Sequence, residues 1–310
     1  MGIKIVSAGK ALPSYSMSNE QMSAFLDTDD EWIYSRTGIK SRYICREETC
    51  VSLACRAADR ALQNAGVKPE DIGAVIVATT TNDYAFPSVA CMIQADLGLP
   101  EETVAFDISA ACSGFIFALG TAYGYLKNND LKYALVVGAE KLSRILDHTD
   151  RSTCVLFGDG AGAVVISKDD HKHVHKSWSR GNREALNCKG VGTDGARLNM
   201  NGRDVFRFAT SALRQAIDET LKADGEDISM IDAIVCHQAN ARIIENVMKK
   251  YPGIESRFFI NIEQYGNTSS ASIPIAIEEM MQSKRITAGM KLLCVGFGAG
   301  LTWSGLIVRT

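Results

Sequence analysis

EDIGAVIVATT, residues 70–80, carries an unbroken apolar run rich in β-branched residues, the pattern of a strand covered on both faces. The run returns as MIDAIVCHQA (230–239), which matches Ile72 to Ile231 at an offset of 159. KYALVVG (132–138) returns as MKLLCVG (290–296) at an offset of 158. Between each pair lies a strand, a turn and a helix. FDISAACSGFIFAL (106–119) is the first of these, and its turn at Cys112 aligns with Asn267 of YGNTSSASIPIAI at an offset of 155. Three matches in one order at nearly one offset indicate an internal duplication.

Each half reads alike. A helix such as LACRAADRALQNAG (53–66), ended by Gly66 and followed by Pro69, leads into a buried strand. A strand, turn and helix follow, then another buried strand and a Gly-rich turn into a last strand, GAGAVVIS (160–167) or GAGLTWSGLIV (298–308). An α/β fold of two duplicated halves, residues 1–168 and 169–310, is expected. The join falls at the polar stretch SKDDHKHVHK (167–176).

Composition narrows the function classes. The 310 residues are 46% hydrophobic and 22% charged, the profile of a globular protein with a sizeable core. A net charge of -3 gives no sign of nucleic-acid binding, and no apolar run reaches the roughly 18 residues of a membrane span. The opening MGIKIVSAGKALPS does not read as a secretion signal, so a cytoplasmic protein with reduced thiols is expected. Its nine cysteines form no C-x-x-C pair. Cys45, Cys50 and Cys55 do not stack on one helix face, while Cys236 and Cys294 sit in strand-like runs as small core residues. His171, His173 and His175 share one face if extended, but no acidic or cysteine ligand is patterned with them, so no metal site is assigned. FGDGAGA (157–163) and GFGAG (296–300) run into strands rather than opening helices. They read as tight turns that bring backbone close to a site, not as nucleotide loops.

With three of the five histidines in that stretch, His148 and His237 remain as candidates for catalysis, and three residues carry further signals. Cys112 stands at a helix start, where unpaired N–H groups favour an anion and lower a thiol pKa; it is either a nucleophile or a packing cysteine. His237 ends a buried strand ahead of NARIIENVMKKY, where α/β proteins place ligand-binding groups. Asn267 holds, in this alignment, the place in the second half that Cys112 holds in the first, unless it is only a helix cap. Duplication brings both helix starts toward a common axis, and the three side chains with them.

DISAACSGF (107–115), CHQANARI (236–243), YGNTSSASIP (265–274) and GFGAGLTW (296–303) resemble the signature segments of the β-ketoacyl-acyl carrier protein synthase III family of the thiolase superfamily, and the likeness runs from EWIYSRTGI (31–39) to the end of the chain. The resemblance implies a thiolase-like fold with a layered αβαβα core and a cofactor-free, homodimeric acyltransferase. Its substrates would be a short acyl-coenzyme A, with acetyl expected, and malonyl-acyl carrier protein. It also implies that Cys112 accepts the acyl group while His237 and Asn267 donate to the malonyl thioester oxygen. The backbone N–H groups of Cys112 and Ala299 would form the acyl oxyanion hole, although Ala299 stands where a glycine is common. Trp32, Arg36, Arg151 and Asn240 are implied coenzyme A contacts, and Arg207, Arg242, Lys249 and Lys250 an implied basic dock for the carrier protein. Phe86, Leu142, Phe157 and Phe297 are implied at the acyl pocket, Phe86 by reaching across the dimer and Phe297 beside the departing carboxylate. A secondary-metabolism relative and a non-catalytic acyl-coenzyme A or carrier-protein scaffold are the alternatives. Thiolase itself fits less well, because GFGAG replaces a second cysteine turn.

Overall fold

The computed structural model describes residues 1–190 and 196–310. In the first half, β1 (Gly2–Ala11), α1 (Cys50–Ala65), β2 (Ile72–Ala78), α2 (Val89–Asp96), β3 (Val104–Ile108), α3 (Gly114–Asn128), β4 (Tyr133–Glu140) and β5 (Gly160–Asp169) follow in order. The second half runs β6 (Val174–Asn182), α4 (Gly202–Asp224), β7 (Ala233–Cys236), α5 (Ala241–Met248), β8 (Phe258–Phe259), α6 (Ser272–Gln282), β9 (Lys291–Gly298) and β10 (Gly300–Arg309). Strands pair in the order β3-β2-β4-β5-β1 in one half and β8-β7-β9-β10-β6 in the other. Parallel and antiparallel pairings fall at the same places in both. A parallel contact at Lys4 and Arg309 joins the two.

The continuous apolar runs have a simple cause. Along β2, Ala74, Ile76 and Ala78 face a core shared with α3 and α6, while Val75 and Val77 face α1 and α2. In β7 and β9, Val235, Leu292 and Cys294 face the shared core, and Ile234, Cys236, Leu293 and Val295 face α4 and α5. Helices therefore cover both outer faces and two helices lie between the sheets, the five-layer order that the resemblance implies. Thr49 caps the N-terminus of α1, and left-handed Gly66 ends it as expected.

One part of the alignment is corrected. Both central helices are preceded by a tight 3-10 turn, Ala111–Ser113 before α3 and Ser269–Ala271 before α6. The first residue of each turn is a non-glycine in the left-handed region, Ala111 at φ 47° and Ser269 at φ 51°. The equivalence therefore keeps the offset of 158, and the partner of Cys112 is Ser270. Asn267 lies three residues ahead of that place.

The histidine stretch packs on α3 and β10. His173 stacks on Tyr123 at 3.5 Å, His175 bonds Ser304 Oγ at 2.9 Å, and His171 bonds Asp169 at 2.6 Å. Among the described residues, no group of three potential ligands is arranged for a metal, and no helix is long and apolar enough to cross a membrane. Burial pushes His173 and His175 down to about 4. Below the ordinary histidine range of about 6.5 the unfolded chain binds protons that these native rings refuse, so stability falls as pH drops from there toward 4. Thermal melting should show this loss, and His175→Gln should make the slope shallower; a variant slope equal to the parent's would contradict the assignment.

Candidate active site

Cys112 sits in the turn between β3 and α3, held from behind by a strand of the other half. A Cβ added to Gly298, at the end of β9, would lie 2.6 Å from Cys112 N and 3.2 Å from Ser113 N. Gly296, two residues earlier on the same strand, packs beside His237 Cβ and Ile116. At Gly298 backbone meets backbone, which is the role expected of GFGAG, whereas Gly296 meets only side chains. The next residue, Ala299, has no positive φ, so an alanine fits there without strain. It lines one cavity together with Cys112.

The thiol is not the lowered group expected of a helix start. Burial pushes Cys112 up to about 12, with Ser269 opposing and the Glu140 carboxylate adding to the rise. Cys112 belongs to the tight turn, not to the first turn of α3, and desolvation outweighs the dipole.

His237 follows β7, its backbone N–H donating to Val295 O at 2.8 Å. Its ring is buried, and burial pushes it down to about 3, so the imidazole is neutral at physiological pH. Nδ1 lies 2.8 Å from Ser272 Oγ, and that oxygen already accepts the Gln238 N–H at 3.3 Å. Among the described residues the Ser272 hydroxyl has no other acceptor, so it donates to Nδ1 and leaves the proton on Nε2. Among the described residues the buried Nε2 has no partner, a donor waiting for an acceptor.

Asn267 is oriented to match. Its main chain is clamped between Leu156 O at 2.8 Å and Gly158 N at 3.0 Å, and its Oδ1 accepts the Ser269 N–H at 2.8 Å. With Oδ1 occupied, Nδ2 has no partner among the described residues and is a second neutral donor. Phe297 packs edge-on to the His237 ring at 5.4 Å and keeps that side apolar.

Two cavities meet at Cys112 and Phe157. The smaller, about 370 Å³, is lined by His237, Asn267, Phe297 and Cys112 and also by Trp32, Arg36, Asn240 and Arg242. The larger, about 810 Å³, is lined by Cys112, Ala299, Leu142, Ile145, Phe157 and Leu198. Phe297 thus belongs to the His237 side rather than to the cavity of Leu142 and Phe157. Arg36 and Arg151 both place their guanidinium over the Trp32 indole, at 4.6 and 5.0 Å, and Arg151 also holds Asp27. Asn240 caps α5 through Arg242 N at 2.9 Å and donates to Arg36 O at 3.0 Å. Arg207, Arg242, Lys249 and Lys250 are all exposed, on or next to the packed helices α4 and α5; α5 ends at Met248, so Lys249 is its cap and Lys250 lies beyond. Phe86 is 85% exposed and lines neither cavity of its own chain.

The residues the sequence did not single out are those that orient the others: Ser269, Ser272, Glu140 and Gly298. Only Gly298, inside a glycine cluster, carried a visible signal.

Known proteins resemble this chain in sequence and fold. The family described as 3-oxoacyl-[acyl-carrier-protein] synthase III matches residues 106–180, and its C-terminal counterpart matches 221–310. The β-ketoacyl-[acyl-carrier-protein] synthase III of Clostridium acetobutylicum is 44% identical over 99% of this chain and 98% of its own length. The crystal structure of 3-oxoacyl-[acyl-carrier-protein] synthase III from Aquifex aeolicus superposes with a TM-score of 0.94 at 41% identity, covering all of both chains. The priming β-ketosynthase of the R1128 polyketide pathway superposes with a TM-score of 0.92 at 33% identity, over 99% of this chain and 96% of its own.

The close approach at Gly298 makes a direct prediction. Gly298→Ala should lose about 1–3 kcal/mol in denaturant unfolding, as overpacking against backbone does. Gly124→Ala, in α3 with open space around it, should be neutral or gain up to about 1 kcal/mol. Equal effects at the two sites would contradict the packing account.

Proposed function

This chain belongs to the 3-oxoacyl-[acyl-carrier-protein] synthase III family, and we propose that it condenses a short acyl-coenzyme A with malonyl-acyl carrier protein, through an acyl-Cys112 intermediate, to start fatty acid synthesis. The observation that carries this reading is the pair of neutral donors, His237 Nε2 and Asn267 Nδ2, in one cavity with a cysteine. Loss of CO₂ from a malonyl thioester leaves an enolate oxygen, which neutral buried donors stabilise strongly and a permanent cation is not needed to hold.

In the first step Cys112 Sγ attacks the acyl thioester, with the carbonyl oxygen held by the N–H groups of Cys112 and Ala299. The thiol proton and the thiolate leave together as coenzyme A. In the second, malonyl-carrier protein loses CO₂, the enolate carbon attacks acyl-Cys112, and the cysteine departs as a thiolate that takes a proton from solvent. Neither step needs electrons or a Lewis acid, so the reading includes no cofactor. Trp32, Arg36, Arg151 and Asn240 would hold coenzyme A along the smaller cavity. Arg207, Arg242, Lys249 and Lys250 would receive the acidic carrier protein.

The reading also includes a homodimer in which Phe86 closes the partner's larger cavity; its 85% exposure supports that role. A cytoplasmic setting is supported by nine cysteines that are all free thiols. The likeness to a polyketide priming synthase favours one alternative, the same chemistry on a different primer. The cavity of about 810 Å³ on the acyl side has room for more than acetyl unless a partner fills it.

The two steps should separate by mutation. Cys112→Ala should form no acyl-enzyme yet still release CO₂ from malonyl-carrier protein. Asn267→Ala should keep acylation while decarboxylation falls by about 10²–10³-fold, the usual loss of one oxyanion donor. Intact-protein mass and labelled CO₂ release read the two steps. An Asn267→Ala protein that folds but fails to acylate would contradict the roles. Separately, Arg242→Glu should weaken use of malonyl-carrier protein far more than acylation, with a loss that shrinks at high salt; equal, salt-independent losses would count against docking.

A further inference from the structure

The two N–H groups proposed to hold the acyl oxygen lie on different halves of the chain. Cys112 belongs to the tight turn ahead of α3, and Ala299 links β9 to β10. A pair of converging donors is effective only if their separation is fixed before the charge develops. Packing at Gly298 limits how near the two segments come, but a steric contact pushes and does not hold. An attraction has to fasten β10 to the turn.

Two hydroxyls supply it. Thr302 stands on β10, directly opposite Gly298 in the β9–β10 register. Its Oγ1 lies 2.8 Å from Ser113 Oγ, 3.2 Å from Ala110 O and 3.0 Å from Ala299 O. Ser113, fully buried, also reaches Ala110 O at 2.9 Å. Each hydroxyl carries one proton, so the contacts are used as a chain. One proton joins Thr302 to Ser113, and the other goes to Ala110 O or to Ala299 O according to the direction of the chain. Either way a strand of the second half is bonded to the Cys112 turn of the first. The place it grips matters. Ala110 O belongs to the peptide that leads into Ala111, at φ 47°, and a left-handed alanine persists only where its surroundings hold it. Thr302, Ala110, Cys112 and Ala299 all line the larger cavity.

We infer that Thr302 and Ser113 are positioning residues for acyl transfer: their hydroxyl bridge holds the N–H groups of Cys112 and Ala299 in register, and neither hydroxyl reacts. This deepens the proposed first step and rests on Cys112 as the acyl acceptor. Decarboxylation draws on other groups. Among the described residues that line the smaller cavity with His237 and Asn267, neither Thr302 nor Ser113 is found.

The test is Thr302→Val, which keeps the shape and removes the hydroxyl, measured beside the parent and Thr302→Ser. Acylation is read as the rate of mass gain on Cys112 with acetyl-coenzyme A, and decarboxylation as labelled CO₂ release from malonyl-carrier protein. At saturating acetyl-coenzyme A, Thr302→Val should acylate about 10–10²-fold more slowly, the cost of a donor displaced rather than removed. Its half-saturating concentration and its CO₂ release should stay near the parent's. Thr302→Ser, which keeps the hydroxyl, should recover most of the acylation rate. A general loosening of the fold would lower both steps together, so equal losses overturn the inference. Should Thr302→Val fail to fold, Ser113→Ala breaks the same bridge from the other side and decides by the same readings. A parent that acylates beside an equally fast variant overturns this inference alone; a parent that takes no acyl group overturns the reading of Cys112 and this inference with it.

Discussion

The site depends on reciprocal support between the two halves. The end of β9, in the second half, lies so close to the Cys112 turn of the first that Gly298 has no room for a Cβ. The end of β4, in the first half, does the same to the turn of the second, where a Cβ on Gly138 would lie 2.3 Å from Ser270 O. Each half thus carries the other's helix start. Neither turn can shift without displacing a central sheet, and close-packed interiors transmit such strain rather than absorb it.

Duplication supplies the frame, and divergence within it supplies the chemistry. At equivalent places the first half has Cys112 and Glu140, and the second has Ser270 and Gly298. The cysteine faces the cavities, while Ser270 faces inward to Glu140 and to Ala78 O at 2.8 Å. Burial then sets the charge states. It keeps His237 neutral and raises Cys112, so around these side chains the cavity presents hydrogen-bond donors and a thiol. Buried neutral donors of this kind stabilise an oxygen developing negative charge more strongly than the same donors in water.

Much of this was legible in the residues. Runs such as GAVIVA announce strands buried on both faces, and they are. His237 at a strand end and Cys112 at a helix start lie in one cavity, as the duplication and the resemblance implied. What escaped reading was register and orientation. The alignment of Cys112 with Asn267 slipped by three residues because non-glycine residues in left-handed turns leave no mark in a hydrophobic pattern. Ser272 and Ser269 read as ordinary turn and helix-start serines, yet the Ser272 hydroxyl orients His237 and the Ser269 N–H orients Asn267. The helix-start argument for an acidic thiol left out desolvation, which acts the other way on Cys112 and leaves no mark in a sequence.

The central claim is that Cys112 is the residue that takes the acyl group. Incubation of the intact protein with a mixture of acyl-coenzyme A esters, followed by whole-protein mass and peptide mapping, tests it most directly. The account predicts a single added acyl group, on the peptide containing Cys112, with the other eight cysteines unmodified. No adduct, or an adduct on another cysteine, would contradict it.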